Sequence, residues 1–142
     1  MPLDLDTART IIAKTRESGR SSGFQPLTVV VLDAGAHVIA VEREDGSSNK
    51  RFEIAFAKAN GALAFGIGSR ALMARAESFP SFVAGATSAI GGALIPVPGG
   101  VLVRDADGQI IGAVGISGDN SDNDEAAGIV GIEAAGLVAD PG

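Results

Sequence analysis
The chain has 142 residues, a formal net charge of −6, no cysteine and 46% hydrophobic residues, drawn mostly from small and branched aliphatic types. That length suits one domain, 1–142. An acidic balance without a basic stripe excludes nucleic acid and an anionic membrane surface as partners, because both need clustered Lys and Arg. The lack of cysteine excludes disulfides, thiolate nucleophiles and Fe–S clusters.

The first residues, MPLDLDTART, have neither a basic nor an apolar leader region. No apolar run reaches the ~18 residues of a membrane span. The expected setting is the cytoplasm. Asp4 is the expected N-cap of a first helix, in which Leu5, Ala8, Ile11 and Ile12 fall at helical spacing to about residue 18. The β-branched run 27–32, LTVVVL, predicts a buried strand. A turn at 33–36 sends the chain back through a second strand, 37–44.

Residues 45–48 end that strand and are the expected cap of a helix over 49–65, with an apolar stripe of Phe52, Ala55, Phe56, Ala59 and Leu63. Gly66 and Gly68 break it, and Ser69 caps a short helix over 70–77. Residues 78–92 read as a loop with one helical turn. Residues 94–97 read as a short edge strand interrupted by Pro96 and Pro98. A hairpin follows: 101–104 and 109–117 flank the turn Asp105-Ala106-Asp107-Gly108. Its second strand carries Gly112 and Gly115, with Gly118 just beyond, which marks close approach of backbone or ligand. Asp122 and Glu125 have capping-box spacing for a last helix over 123–138, whose apolar face is Ala126, Ile129, Val130, Ala134 and Leu137. The order α-β-β-α-α-β-β-β-α predicts an α+β fold: an antiparallel sheet of about five strands flanked by helices.

Two motif matches carry no chemistry. Gly66-x-Gly68-x-x-Ala71 has the spacing of a dinucleotide fingerprint but follows a helix rather than a strand. The acidic stretches 105–108 and 119–124 lack the glycine and glutamate positions of a calcium loop, so no metal site is expected. His37 is the only histidine. Its bland role is to fix the Asp33 turn; its functional role would be to ligate haem iron. His37 and Arg43 share a strand face but lie six residues apart, about 20 Å at ~3.4 Å per residue, so one subunit cannot use both in a compact site. Arg43 precedes a helix N-terminus, a setting that favours carboxylate ligands. Ser/His/Asp and Cys/His nucleophilic chemistry is not expected.

Several pieces occur together: Asp33-x-Gly35-x-His37, Arg43-x-Asp45-Gly46, Ala57-Lys58-Ala59, Pro98-Gly99-Gly100, Gly112-Ala113-Val114-Gly115-Ile116-Ser117-Gly118 and Asp124-Glu125. In this order they cover nearly the whole chain, and the chain resembles the GlcG/HbpS family of small haem-binding-type proteins, also seen as the C-terminal domain of PduO-type proteins. The resemblance implies a profilin-like layering, a homo-oligomer, and haem or a related tetrapyrrole as ligand. Family members are linked to haem binding, redox sensing, glycolate or diol catabolism and corrinoid pathways. The pattern expects Met where this chain has Glu44, which implies a more polar pocket.

The first reading is therefore a small-molecule-binding protein. Its candidate ligand-binding residues are His37, Asp45, Lys58, Gly99, Gly100, Ser117, Gly118 and Asp124. A second is a cofactor-independent isomerase or lyase acting on a small oxygenated acid. There Arg43 would clamp the carboxylate and Glu44 or Glu125 would act as base. A third is a structural accessory subunit. The pocket is expected near Arg43 and the 115–125 corner, so any haem binding would be weak and insensitive to loss of His37.

Overall fold
The computed structural model describes residues 2–142. Asp4 caps α1 (Leu5–Ser21) by accepting from the Thr7 N–H at 2.8 Å. The strands β1 (Thr28–Asp33) and β2 (Val38–Arg43) form the first hairpin. The helices α2 (Arg51–Phe65), α3 (Ser69–Ser78) and α4 (Pro80–Ala89) follow. Then come the second hairpin, β3 (Gly100–Arg104) and β4 (Ile110–Ser117), the helix α5 (Ser121–Ala134) and a short strand β5 (Val138–Asp140).

The five strands form one antiparallel sheet in the order β2-β1-β4-β3-β5. Alternation along each strand splits its side chains between two helical layers. Val29, Val31, Val101, Val103, Val114 and Ile116 pack with Ile11, Ile12, Ala127 and Ile132 of α1 and α5. On the other face, Val30, Leu32, Leu102 and Ala113 meet Ala55, Ala59 and Ala62 of α2. The α+β class and the five-stranded antiparallel sheet are as expected from the sequence.

Several details differ. Residues 78–92 hold a full helix, α4, with Pro80 in its first turn, where the missing N–H has no intrahelical partner to lose. Residues 94–97 are not a strand: Leu94 instead buries itself with Leu72 and Val83 beneath α3 and α4. The fifth strand is β5, paired with β3.

The helix ends differ too. Lys50, rather than any residue of 45–48, stands at the N-cap of α2 and makes no side-chain cap bond. Ser69 lies inside α3, and its hydroxyl accepts from the Gly100 N–H at 2.7 Å. Asn120 caps α5 by accepting from the Asn123 N–H at 2.8 Å, so Asp122 and Glu125 form no capping box. The inward residues of α5 are Ala127, Gly128, Gly131 and Ile132, while Ala126, Val130 and Ala134 face outward. A side chain at Gly131 would collide with the Thr15 hydroxyl of α1, so the α1–α5 crossing selects the smallest residues rather than the apolar stripe. Likewise Phe52 of α2 is exposed, and the alanines carry its contact with the sheet.

Candidate functional site
The register aligns Arg43, Thr28 and Ser117 side by side across β2, β1 and β4. All three point to the α2 face, and the N-terminus of α2 returns over them. Arg43 donates to the Ser47 carbonyl at 2.8 Å. The Ser47 and Thr28 hydroxyls are 2.9 Å apart and buried. Arg51, in the first turn of α2, donates to the Ser117 hydroxyl at 3.1 Å and to the Ser48 hydroxyl at 3.0 Å.

Neutral oxygens thus hold both guanidinium groups, and no carboxylate lies within ion-pair distance of either among the described residues. The uncapped first turn of α2 adds free N–H groups and the positive end of its dipole. By contrast, Arg16, Arg20, Arg70 and Arg104 each have a carboxylate partner.

Below this row lies a buried ion pair. The Lys58 ammonium donates to Asp124 at 3.2 Å and to the Ile116 carbonyl at 2.9 Å, with both side chains almost fully enclosed. Asp124 also accepts from the Asp119 N–H. Burial pushes the Lys58 ammonium down and the Asp124 carboxyl up, each opposed by the charge of the other. Gly99 and Gly100 pack directly on Lys58, and Gly99 has a positive φ of 116°. Lys58, Gly99, Gly100 and Asp124 are therefore brought together as a buried joint between α2, β4 and α5.

The glycine-rich strand is filled by backbone. A Cβ at Gly115 would collide with the Ala55 carbonyl of α2, and one at Gly118 with the Pro26 carbonyl. Of that run, Ser117 reaches the cation row.

The other candidates are dispersed. Strand alternation turns Glu44 away from Arg43, toward α1. There Glu44 accepts from the Leu27 N–H at 2.7 Å and pairs with Arg16 and Arg20 at 3.2 and 3.3 Å. Asp45 borders the small cleft beside Arg16, Arg20 and Glu44. Glu125 receives Nε and a terminal nitrogen of Arg70 at 3.0 Å each, and Asp122 takes a further bond. These bonds hold the Arg70 guanidinium above its ordinary value. Neither proposed base faces Arg43.

His37 lies at the opposite end of β2, 81% exposed at its side chain. Its Nδ1 is 3.1 Å from Asp33, which also accepts from the Gly35 and His37 N–H groups. Those backbone bonds, foremost that from His37, hold the Asp33 carboxyl below its ordinary value.

Arg51, Thr28 and Ser47 are not among the residues expected from the sequence. Arg51 had one readable signal: it opens the helix that follows the turn after Arg43.

This is an α+β protein whose helix-covered antiparallel sheet presents a row of uncompensated cations at one end. The chain belongs to the HbpS-like family: the family model described as "Haem degrading protein HbpS-like" matches residues 3–133. A comparison with curated proteins finds no match. Among solved structures, a PduOC–haem complex is 22% identical, with a TM-score of 0.85 over 96% of this chain and 97% of that one. HbpS is 24% identical, with a TM-score of 0.79 over 92% and 88%. The Klebsiella pneumoniae protein ORFY is 20% identical, with a TM-score of 0.82 over 93% and 89%. No helix among the described residues is long and apolar enough to cross a membrane.

Proposed function
We propose that this protein binds a carboxylate-bearing small ligand, haem or a related tetrapyrrole, in the cytoplasm, with Arg43 and Arg51 holding the carboxylates. The observation that carries this reading is the pair of guanidinium groups, each positioned by neutral oxygens and left without a counter-charge in a chain of net charge −6. A carboxylate arriving there gains charge-assisted hydrogen bonds without breaking an internal ion pair. The family description and the haem-bound neighbour support the choice of ligand.

The donor set fits the carboxylate edge of haem. It does not fit the iron, because the one imidazole is at the far end of β2, paired with Asp33. In this reading Lys58 and Asp124 are positioning residues that fix α2 against β4, and Ser117 orients Arg51.

The test is a spectral titration of the purified chain with ferric haem, repeated with a haem whose propionates are esterified. Saturable binding that is lost on esterification is expected. Equal affinity for the ester would remove the arginine row from the site.

A further inference from the structure
We propose that Asp45 is a site of spontaneous backbone isomerisation, and that the isoaspartate formed there undoes the Ser47 bonds that seat Arg43. The chemistry needs a carboxyl or amide side chain followed by a main-chain nitrogen that can reach it. Glycine hinders that nitrogen least, because it has no Cβ. The chain has three such pairs: Asp45-Gly46, Asn60-Gly61 and Asp107-Gly108.

The structure separates them. Asn60 donates its side-chain amide to the Ala93 carbonyl at 2.8 Å, and Gly61 lies inside α2, where its N–H is committed to the helix. Gly108 donates its N–H to the Asp105 carbonyl at 3.0 Å. The Gly46 N–H, by contrast, has no acceptor among the described residues. The Asp45 carboxyl has neither a hydrogen bond nor an ion pair among them. Both residues are exposed, in the turn between β2 and α2. Gly46 has a φ of 86°, so the turn itself favours the residue that leaves the nitrogen open.

The reaction needs no oxidant or reductant. The Gly46 nitrogen attacks Cγ of the protonated Asp45 carboxyl, and its hydrogen leaves with the carboxyl hydroxyl as water. A cyclic imide results, with that nitrogen bonded to both Cγ and the Asp45 main-chain carbonyl carbon. Water then opens the ring at one of the two carbonyls. Opening at Cγ restores aspartate. Opening at the main-chain carbonyl leaves the chain running through Cβ and Cγ, one atom longer, with a free α-carboxylate.

That extra atom falls between fixed points. Glu44 is held by the Leu27 N–H and by Arg16 and Arg20. Its carbonyl closes the turn by accepting from the Ser47 N–H at 3.1 Å. Ser47 in turn accepts from Arg43 at its carbonyl and meets the buried Thr28 hydroxyl with its own. A turn lengthened between Glu44 and Ser47 cannot keep all three bonds.

The experiment ages the full chain in neutral buffer, folded and in urea, and counts isoaspartate by enzymatic methyl transfer from S-adenosylmethionine. Tryptic mapping assigns each site, since cleavage after Arg43 and Lys50 isolates residues 44–50. In urea all three pairs should react. Relative to its own rate in urea, Asp45 in the folded chain should be slowed about fivefold less than Asn60 or Asp107, the factor that one hydrogen bond contributes. Asp45→Glu should abolish the signal in 44–50, because the longer side chain must close a larger ring. Aged wild-type chain should melt lower than fresh chain, and aged Asp45→Glu should not. In Ser47→Ala the drop on ageing should be smaller, because the Thr28 bond is already absent. Equal slowing of all three pairs, or greater slowing at Asp45, overturns the assignment. Isoaspartate at Asp45 with unchanged melting, or with the same drop in Ser47→Ala, overturns its effect on the Ser47 bonds.

Discussion

Lys58 and Asp124 meet at 3.2 Å with 3% and 1% of their side chains exposed, linking the middle of α2 to the first turn of α5. Charges removed from water to this degree are costly when left alone. Lys58→Met should therefore lower stability by roughly 3–5 kcal/mol at neutral pH. Adding Asp124→Leu should recover part of that loss, because the uncompensated carboxylate is removed. Urea denaturation of the single and double variants measures the coupling; strictly additive losses would mean that the pair does not interact.

The same variant has a predicted pH dependence. Burial already raises the Asp124 carboxyl above its ordinary value, and removing the cation raises it further. A group whose folded value lies above its unfolded value stabilises below the unfolded value and loses that contribution as pH rises through the folded one. The Lys58→Met deficit should therefore shrink as the pH falls toward the ordinary carboxyl value of 3.8. A deficit constant between neutral pH and that value would place the lost stability in packing rather than in charge.

Arg43→Ala should weaken haem binding about tenfold or more while leaving the melting temperature nearly unchanged, because the side chain is exposed and makes a single bond to the Ser47 carbonyl. Arg51→Ala should act in the same direction and also free the Ser117 hydroxyl. Titrations indistinguishable from wild type for both would remove the row from the ligand site.

His37→Ala should leave the haem spectrum and affinity unchanged. Its imidazole is 81% exposed and fixes the Asp33 turn, so the stability change should stay below about 1 kcal/mol. An intense low-spin haem spectrum abolished by this substitution would place the site at the other end of the strand.

Asn120→Ala should cost about 0.5–2 kcal/mol by uncapping α5. Asp122→Ala removes an exposed ion pair with Arg70 and should cost less than about 1 kcal/mol. Thermal melts of the two variants rank them; the reverse order would assign the cap to Asp122.

Much of the sheet was legible because its signals are local. The run 27–32 and the Asp105–Gly108 turn state their hairpins within a few residues. The helix α4 was obscured because Ala, Gly and Ser give it no apolar stripe, and its Pro80 looked like a breaker rather than a first-turn residue. The inward face of α5 was misjudged because the nearness of α1 selects Gly128 and Gly131, and that nearness is a tertiary fact. For the site, alternation along β2 already implied that Arg43 and Glu44 face opposite ways. What could not be read was the reach of Arg16 across 28 residues to Glu44, or of Arg70 across 55 to Glu125.

The bare backbone of β4 bears on how tightly a ligand can be held. At Gly115 no side chain separates helix from strand, and the Ala55 carbonyl of α2 occupies the space a Cβ would need. The base of Arg51 thus stands on a helix seated directly against the sheet. Its hydrogen bonds to Ser48 and Ser117 hold the guanidinium before any ligand arrives. The ordering entropy of that anchor is already met by folding, so more of the ion-pair energy appears as affinity.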